Sequence, residues 1–368
     1  MRHCDKMAVT VNPTNTCNLR CEYCMASSAE EQEETISIPT AFAKQGIYDA
    51  LIGFPTGIKA SMLRFFSPGE PTMRMDIIRE CVDYARHINP DIKVELQTNG
   101  LFPSLEDTIW IANNIDIVWF SLDGPPEIND VNRPDKDGKG QTKAIEENLN
   151  IVSQFAKVGV RSTIVEKTIE RQEDLVDYYL GLGITNLGFN PVIRPIQRKD
   201  EGNKEVTRVS IMNFAKNFLQ AYNHAKSIGV VLASSLTFNF DEPTHIACRS
   251  LVPMPQLNPD TSVSSCDMAL YCDTKKELQC FLYGAWDNDE KTIRYDSKKI
   301  HHLQNRNIDK LPKCKNCEIK RFCAGGCAGR VAYQTGSIYK VIPEYCLATK
   351  FLAERMPLGD KRFVITHP

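Results

Sequence analysis

Cysteine placement constrains this chain more than any other feature. Of 14 cysteines, three crowd into residues 17–24 and eight lie between 266 and 346. The start, Met1-Arg2-His3-Cys4-Asp5-Lys6, lacks the apolar centre of a secretion signal, and no apolar run is long enough to span a membrane. A cytoplasmic location is therefore expected, where reducing conditions remove most disulfides. Thiols at short, fixed spacings then read as metal ligands rather than bridges. The formal net charge of -2 gives no reason to expect nucleic acid or an anionic membrane as a partner.

Between residue 7 and about 195, strand-like and helix-like segments alternate. Met7–Val11, Leu63–Phe66, Ile92–Leu96, Ile117–Phe120, Arg161–Val165 and Asn186–Phe189 read as strands. Helices are expected over Pro39–Leu51, Met75–Asn89, Thr142–Val158 and Val206–Ser227, the first opened by a proline. This alternation builds a parallel sheet covered by helices, open or curled into a barrel, with ligands at the carboxyl ends of the strands. Residues 196–204 form a charged loop. After about residue 240 the elements shorten and the cysteines become dense, with a small hairpin at Leu278–Trp286 and Thr292–Tyr295. Two domains are expected, residues 1–235 and 236–368.

Cys17, Cys21 and Cys24 stand at C-x3-C-x2-C in the loop after the first strand. Three thiolates hold three irons of a [4Fe–4S] cube and leave the fourth open. A structural zinc site wants four closed ligands, and no nearby fourth completes this one. In the second region, Cys314, Cys317, Cys323, Cys327 and Cys346 follow Cys266, Cys272 and Cys280. Eight thiols are the complement of two Cys4-ligated cubes; a zinc site is the alternative. Cys81 sits on an apolar helix face with Ile77, Ile78 and Ala85 and reads as a buried small hydrophobe. Cys248 reads as structural, with a swapped ligand or a hydrogen-atom donor as alternatives.

The C-x3-C-x2-C loop, with Tyr23 before its last thiol, resembles the signature of radical S-adenosylmethionine enzymes. Phe65-Phe66-Ser67-Pro68-Gly69-Glu70-Pro71 is similar to that family's Gly-Gly-Glu-Pro turn, with Pro68 in place of the first glycine. Leu96-Gln97-Thr98-Asn99-Gly100 and Phe120-Ser121-Leu122-Asp123-Gly124 resemble two further strand-end motifs, and Asn129–Arg133 a His-Asp-x-x-Arg segment that has lost its histidine. The resemblance implies a partial (β/α)6 TIM-like barrel followed by a small cysteine-rich α+β domain. It implies S-adenosylmethionine held by Tyr23, Gly69, Glu70, Asn99, Ser121, Asp123 and Arg133, and reduction by a flavodoxin or ferredoxin. Reductive cleavage would give a 5′-deoxyadenosyl radical that abstracts a substrate hydrogen atom.

The C-terminal spacing resembles the SPASM extension of these enzymes. By position it implies one cluster on Cys266, Cys272, Cys280 and Cys327 and another on Cys314, Cys317, Cys323 and Cys346, three [4Fe–4S] clusters in all. Many relatives lack a thiol at Cys272. Enzymes with this extension mostly modify peptides or proteins, so a peptide or protein substrate is expected. Sulfatase maturases tend to carry an Asp, a candidate base, after the thiol that aligns with Cys280; Phe281 stands there, which argues against that activity. Sixteen residues precede Cys17, leaving no room for a leader-binding domain. The alternatives are a sulfatase maturase, a small-molecule dehydrogenase acting for instance on a sugar, and an iron–sulfur carrier without catalysis. The carrier leaves the motifs at Gly69, Glu70, Asn99 and Ser121 unexplained.

Overall fold

A computed structural model describes residues 7–24, 26, 34–193 and 209–360. Cys4 and the charged loop 196–204 lie outside the described residues. The first strand, β1 (Ala8–Val11), is buried on both faces, as in a parallel sheet covered on both sides. Six more follow: β2 (Met62–Phe65), β3 (Lys93–Thr98), β4 (Ile117–Ser121), β5 (Lys157–Ile164), β6 (Asn186–Pro191) and β7 (Val231–Ala233). Each pairs in parallel with its predecessor, so these seven strands lie in sequence order. This is the partial TIM-type barrel that the sequence implies, with a further short strand, β7, closing its edge.

Helices α1 (Thr40–Ile52), α2 (Met75–Ile88), α3 (Leu105–Asn114), α4 (Pro126–Asn132), α5 (Thr142–Ser153), α6 (Gln172–Gly181) and α7 (Ile211–Ser227) occupy the connections. In α2, Ile77, Ile78, Cys81, Val82 and Ala85 form one buried stripe. Asp76 lies in its first turn and Arg86 and His87 in its last, the charge order that the helix dipole favours. Cys81 is buried in that stripe, as its spacing predicts. The helix expected to reach Val158 ends at Ser153, because Lys157 already pairs with Ile117 on β4 and β-branched Val158 and Val160 extend the strand.

The cysteine-rich region continues the same sheet. β8 (Gln256–Leu257) pairs in parallel with β1 on the side away from β2. Then β9 (Ser262–Ser264), β10 (Leu282–Asp287) and β11 (Thr292–Tyr295) add antiparallel strands. The hairpin expected from Leu278 begins four residues later, because Lys276–Phe281 is a 3-10 turn. Short helices α8 (Ser297–Gln304), α9 (Lys320–Cys323), α10 (Ala328–Thr335) and α11 (Pro343–Ala353) complete the region. Phe42 of α1 packs on Trp286 of β10, and Tyr295 of β11 donates to Asp49 of α1 at 2.9 Å. One apolar core runs across the boundary expected at 235/236. Among the described residues no helix is long and apolar enough to cross a membrane.

Candidate active site

The loop after β1 is tied down along its length. Glu70 N–H donates to Thr16 C=O at 2.7 Å and Gly69 N–H to Thr14 C=O at 3.3 Å, while Ser67 Oγ donates to Thr14 C=O. Arg20 N–H donates to Pro134 C=O at 2.7 Å and Glu22 N–H to Asn132 C=O at 3.0 Å. A β-carbon on residue 69 would lie 2.1 Å from the Thr16 carbonyl oxygen, so only glycine lets the β2 turn approach this closely. Cys17, Cys21 and Cys24 consequently face one cavity of about 500 Å³ at the carboxyl ends of the strands. Gly69, Glu70, Asn99, Ser121, Tyr23 and Arg133 line the same cavity.

Glu70 is 2 % exposed. Its Oε1 accepts from Thr72 N–H (3.1 Å), Thr72 Oγ1 (2.8 Å) and Thr98 Oγ1 (2.7 Å), and its Oε2 from Asn99 N–H (2.7 Å). Burial pushes the carboxyl upward and these donors pull it back. The result is a fixed carboxylate whose Oε2 carries a single donor and keeps accepting capacity. Asn99 donates to Asn18 Oδ1 at 2.7 Å and accepts from Leu101 N–H at 2.9 Å.

Asp123 does not line the cavity. It stands behind it, accepting from Tyr23 Oη at 2.7 Å, Thr163 N–H at 2.9 Å and Asn132 Nδ2 at 3.2 Å, while Arg133 Nη1 donates to the same Tyr23 oxygen at 2.8 Å. All three members of this Tyr23–Asp123–Arg133 group are buried. The aspartate therefore orients a tyrosine and balances an arginine. Asn129, in the histidine position of the related motif, accepts from Asp123 N–H at 3.1 Å and donates to Thr142 Oγ1 at 2.9 Å, a purely structural use.

Sequence reasoning missed Asn18, Thr72, Thr98 and Asn132, which carry no signal beyond lying next to the motif residues. It also missed a charged layer inside the barrel. Arg64 and Arg161 both donate to Gln97 Oε1, at 3.2 and 2.7 Å. Arg64 is also paired with Asp267 at 3.0 Å, and Arg249 reaches the same carboxylate at 2.8 Å.

In the C-terminal region, Cys314, Cys317, Cys323 and Cys346 are neighbours: burial first and then thiols of this group raise Cys314, Cys323 and Cys346. Cys266 and Cys327 also come together. Cys248, rather than Cys272 or Cys280, joins them: burial first and then Cys327 raise the Cys248 thiol, and burial first and then Cys327 and Cys248 raise the Cys266 thiol. Cys248 and Cys327 share a cavity of about 60 Å³. Cys272 lies exposed, its N–H on Asp260 Oδ2 at 2.6 Å, and Cys280 faces Lys299. A signal for Cys248 was present in the sequence: Asn258-Pro259-Asp260-Thr261 is a turn between β8 and β9, and folding back there returns the segment after β9 towards the segment before β8.

Burial and neighbouring thiols push Cys17 up to about 12, and burial pushes Cys21 upward as well. Crowded, buried sulfur donors of this kind are neutral by themselves and ionise when a cationic group takes them as ligands. Among the described residues no three or more His, Cys, Asp or Glu side chains converge to hold one metal ion. Cube ligands sit on separate corners, and a shared cavity lined by three thiols suits that arrangement.

Comparison with known proteins follows this geometry. The family model described as Radical SAM superfamily matches residues 11–179. The chain carries a radical SAM domain over those residues. A [4Fe–4S] cluster and S-adenosylmethionine are the group that such a domain implies.

Among particular relatives, it is 23% identical over 345 residues to a cysteine-type anaerobic sulfatase-maturating enzyme of Clostridium novyi, covering 87% of each chain. It is 29% identical over 190 residues to an uncharacterised protein of Methanocaldococcus jannaschii, spanning 62% of that protein and 50% of this one. In fold it matches anSMEcpe with bound AdoMet (TM-score 0.75, 18% identity, 95% and 93% of the chains). It also matches Streptococcus suis SuiB bound to precursor peptide SuiA (TM-score 0.63, 16% identity, 93% and 76%).

Proposed function

We propose that this enzyme abstracts a hydrogen atom from a peptide or protein substrate held in the barrel mouth. The observation that carries the reading is the single cavity of about 500 Å³ into which Cys17, Cys21 and Cys24, the Gly69-Glu70 turn, Asn99 and Ser121 all face. Thr163 and Asn190–Ile193 line the same cavity, offering polar and apolar groups to a substrate side chain. A peptide substrate is supported by the relatives, one a sulfatase-maturating enzyme and another bound to a precursor peptide.

In this reading Cys17, Cys21 and Cys24 would hold one cluster. Cluster and S-adenosylmethionine, when bound, would supply the hydrogen-abstracting radical by reductive cleavage. Glu70 Oε2 takes the methionine ammonium, and Gly69 presents backbone beside it. Asn99 and Ser121 present polar groups along the same wall. Tyr23, fixed by Asp123 and Arg133, closes the loop side and excludes water. Residues 236–368 form a SPASM-type extension carrying two further clusters. Cys314, Cys317, Cys323 and Cys346 serve one, and Cys266 and Cys327 serve the other, with Cys248 positioned as a ligand beside them. Flavodoxin or ferredoxin is the expected reductant.

A second reading, formylglycine formation, is favoured by one placement. The argument against it rested on Phe281, which is fully buried in the core after a thiol that faces Lys299. Cys266 is one of the thiols that meet Cys327, and the residue after it is Asp267, fixed by Arg64 and Arg249.

Reconstituted enzyme, incubated anaerobically with dithionite, S-adenosylmethionine and a sulfatase-type Cys peptide, decides between the two. The peptide-modifying reading expects 5′-deoxyadenosine from that peptide only at the uncoupled level, and no formylglycine. Formylglycine that disappears in Asp267→Asn selects the sulfatase-type reaction. Turnover of a free sugar with no response to any peptide overturns both.

A further inference from the structure

Arg306 stands out among the charged groups. It is 0 % exposed, and among the described residues no carboxylate pairs with it. Its donors all go to backbone carbonyls: Nε to Ile338 at 3.1 Å, Nη1 to Ala324 at 2.8 Å and Nη2 to Gly325 at 3.5 Å. A guanidinium stays protonated in proteins, so this is a permanent buried charge with three hydrogen bonds and no counter-ion among ordinary acids. Such a charge is unfavourable unless an anion lies near it.

The candidate anions are thiolates. Ala324 and Gly325 belong to the five-residue stretch Cys323-Ala324-Gly325-Gly326-Cys327, which joins a thiol of one cysteine group to a thiol of the other. Its three central residues all have left-handed backbone, with φ of 49°, 83° and 73°. Two of the carbonyls in this turn accept from the guanidinium. A β-carbon on residue 325 would lie 2.7 Å from Arg306 Nη2, so the turn closes directly over the charge. Cys248, Cys314, Cys323 and Cys327, drawn from both groups, all act electrostatically on Arg306.

We infer that Arg306 is a shared positioning cation for both C-terminal cluster sites, holding the Cys323–Cys327 turn and raising the reduction potentials of both clusters. The inference rests on the reading that these thiols bind iron–sulfur clusters. A fixed positive charge stabilises the more negative, reduced cluster, and local charge is one of the levers that set such potentials. It would therefore favour the acceptance of an electron left on an oxidised substrate.

The test starts from protein with Cys17, Cys21 and Cys24 changed to Ala, so that only C-terminal iron remains after anaerobic reconstitution. Its iron content reports on the cluster reading itself, and iron-free parent protein would end both readings. In iron-loaded parent, EPR-monitored redox titration should show both midpoint potentials moving negative in Arg306→Gln and staying near the parent values in Arg306→Lys. Unchanged potentials in Arg306→Gln overturn the inference. So does a shift confined to one cluster, or an Arg306→Lys variant shifted as far as Arg306→Gln. Should Arg306→Gln fail to keep iron, retention by Arg306→Lys supports the charge role. Equal loss in both variants means that packing of the turn alone matters, and overturns it.

Discussion

Glu70 shows how one residue type acquires a role from its surroundings. Solvated glutamates are common on surfaces, but this one is buried and takes four donors from Thr72, Thr98 and Asn99. Those bonds fix its orientation in the cavity wall and leave Oε2 with a single donor. Glu70→Gln would keep the volume, remove the charge that an ammonium ligand needs, and set an amide among existing donors. A hydrogen bond to a charged group contributes about 1.5–3 kcal/mol. Affinity for S-adenosylmethionine should therefore fall at least about tenfold by equilibrium dialysis, a factor that corresponds to about 1.4 kcal/mol. Iron content should be unchanged, because Glu70 is not a ligand. Undiminished binding would remove it from the methionine site.

Between elements, the decisive contact is the β2 turn resting on the thiol loop after β1. Gly69→Ala drives a methyl group into the Thr16 carbonyl, backbone against backbone, with no flexible side chain to yield. The expected result is loss of the first cluster only, about a third of the iron if three cubes of four are loaded. Far-ultraviolet circular dichroism should be intact, since the sheet does not depend on the turn. Full iron content in this variant would show that the loop can shift.

At a second junction, His224 of α7 meets Asp177 of α6 at 2.6 Å, and that hydrogen bond raises the imidazole above its ordinary value. A raised folded-state value means that the contribution is complete below the ordinary histidine range and is lost as pH rises through the raised value. His224→Gln should lower the urea midpoint at pH 6 and leave it unchanged at pH 9. The pair is solvent-accessible, so the effect should stay under about 1 kcal/mol. Equal losses at both pH values would point to packing instead.

Across the whole molecule, the cysteine-rich region is an extension of the barrel sheet. β8 lies against β1, so Cys248 and Cys266, on either side of the β8–β9 hairpin, are anchored through the same strand that leads into Cys17. Loaded protein should approach about twelve irons per chain, four for each cube. Changing Cys17, Cys21 and Cys24 together to Ala should leave roughly two thirds of that and abolish 5′-deoxyadenosine. Stoichiometric zinc with a single cube would show that the C-terminal thiols serve another metal. Product surviving in the triple variant would mean that the radical site lies elsewhere.

The local features of this protein were written in its sequence because they depend on neighbours close along the chain. The C-x3-C-x2-C loop needs only one turn to present its thiols together, and the parallel strands follow from alternating apolar segments and helices. Glu70, Asn99 and Ser121 could be placed at strand ends for the same reason. Partnerships between distant residues were not legible. Asp123 belongs behind the cavity because it and Arg133, 100 and 110 residues from Tyr23, converge on the Tyr23 hydroxyl. For Cys248 the Asn258–Thr261 turn and the swapped-ligand alternative were readable, but its choice as the neighbour of Cys266 and Cys327 depends on the β8–β9 fold-back, which spacing along the chain does not encode. Arg306 is the extreme case: in the sequence it is one of 44 Lys and Arg residues. Only burial beneath the Cys323–Cys327 turn, away from every carboxylate among the described residues, makes its charge matter.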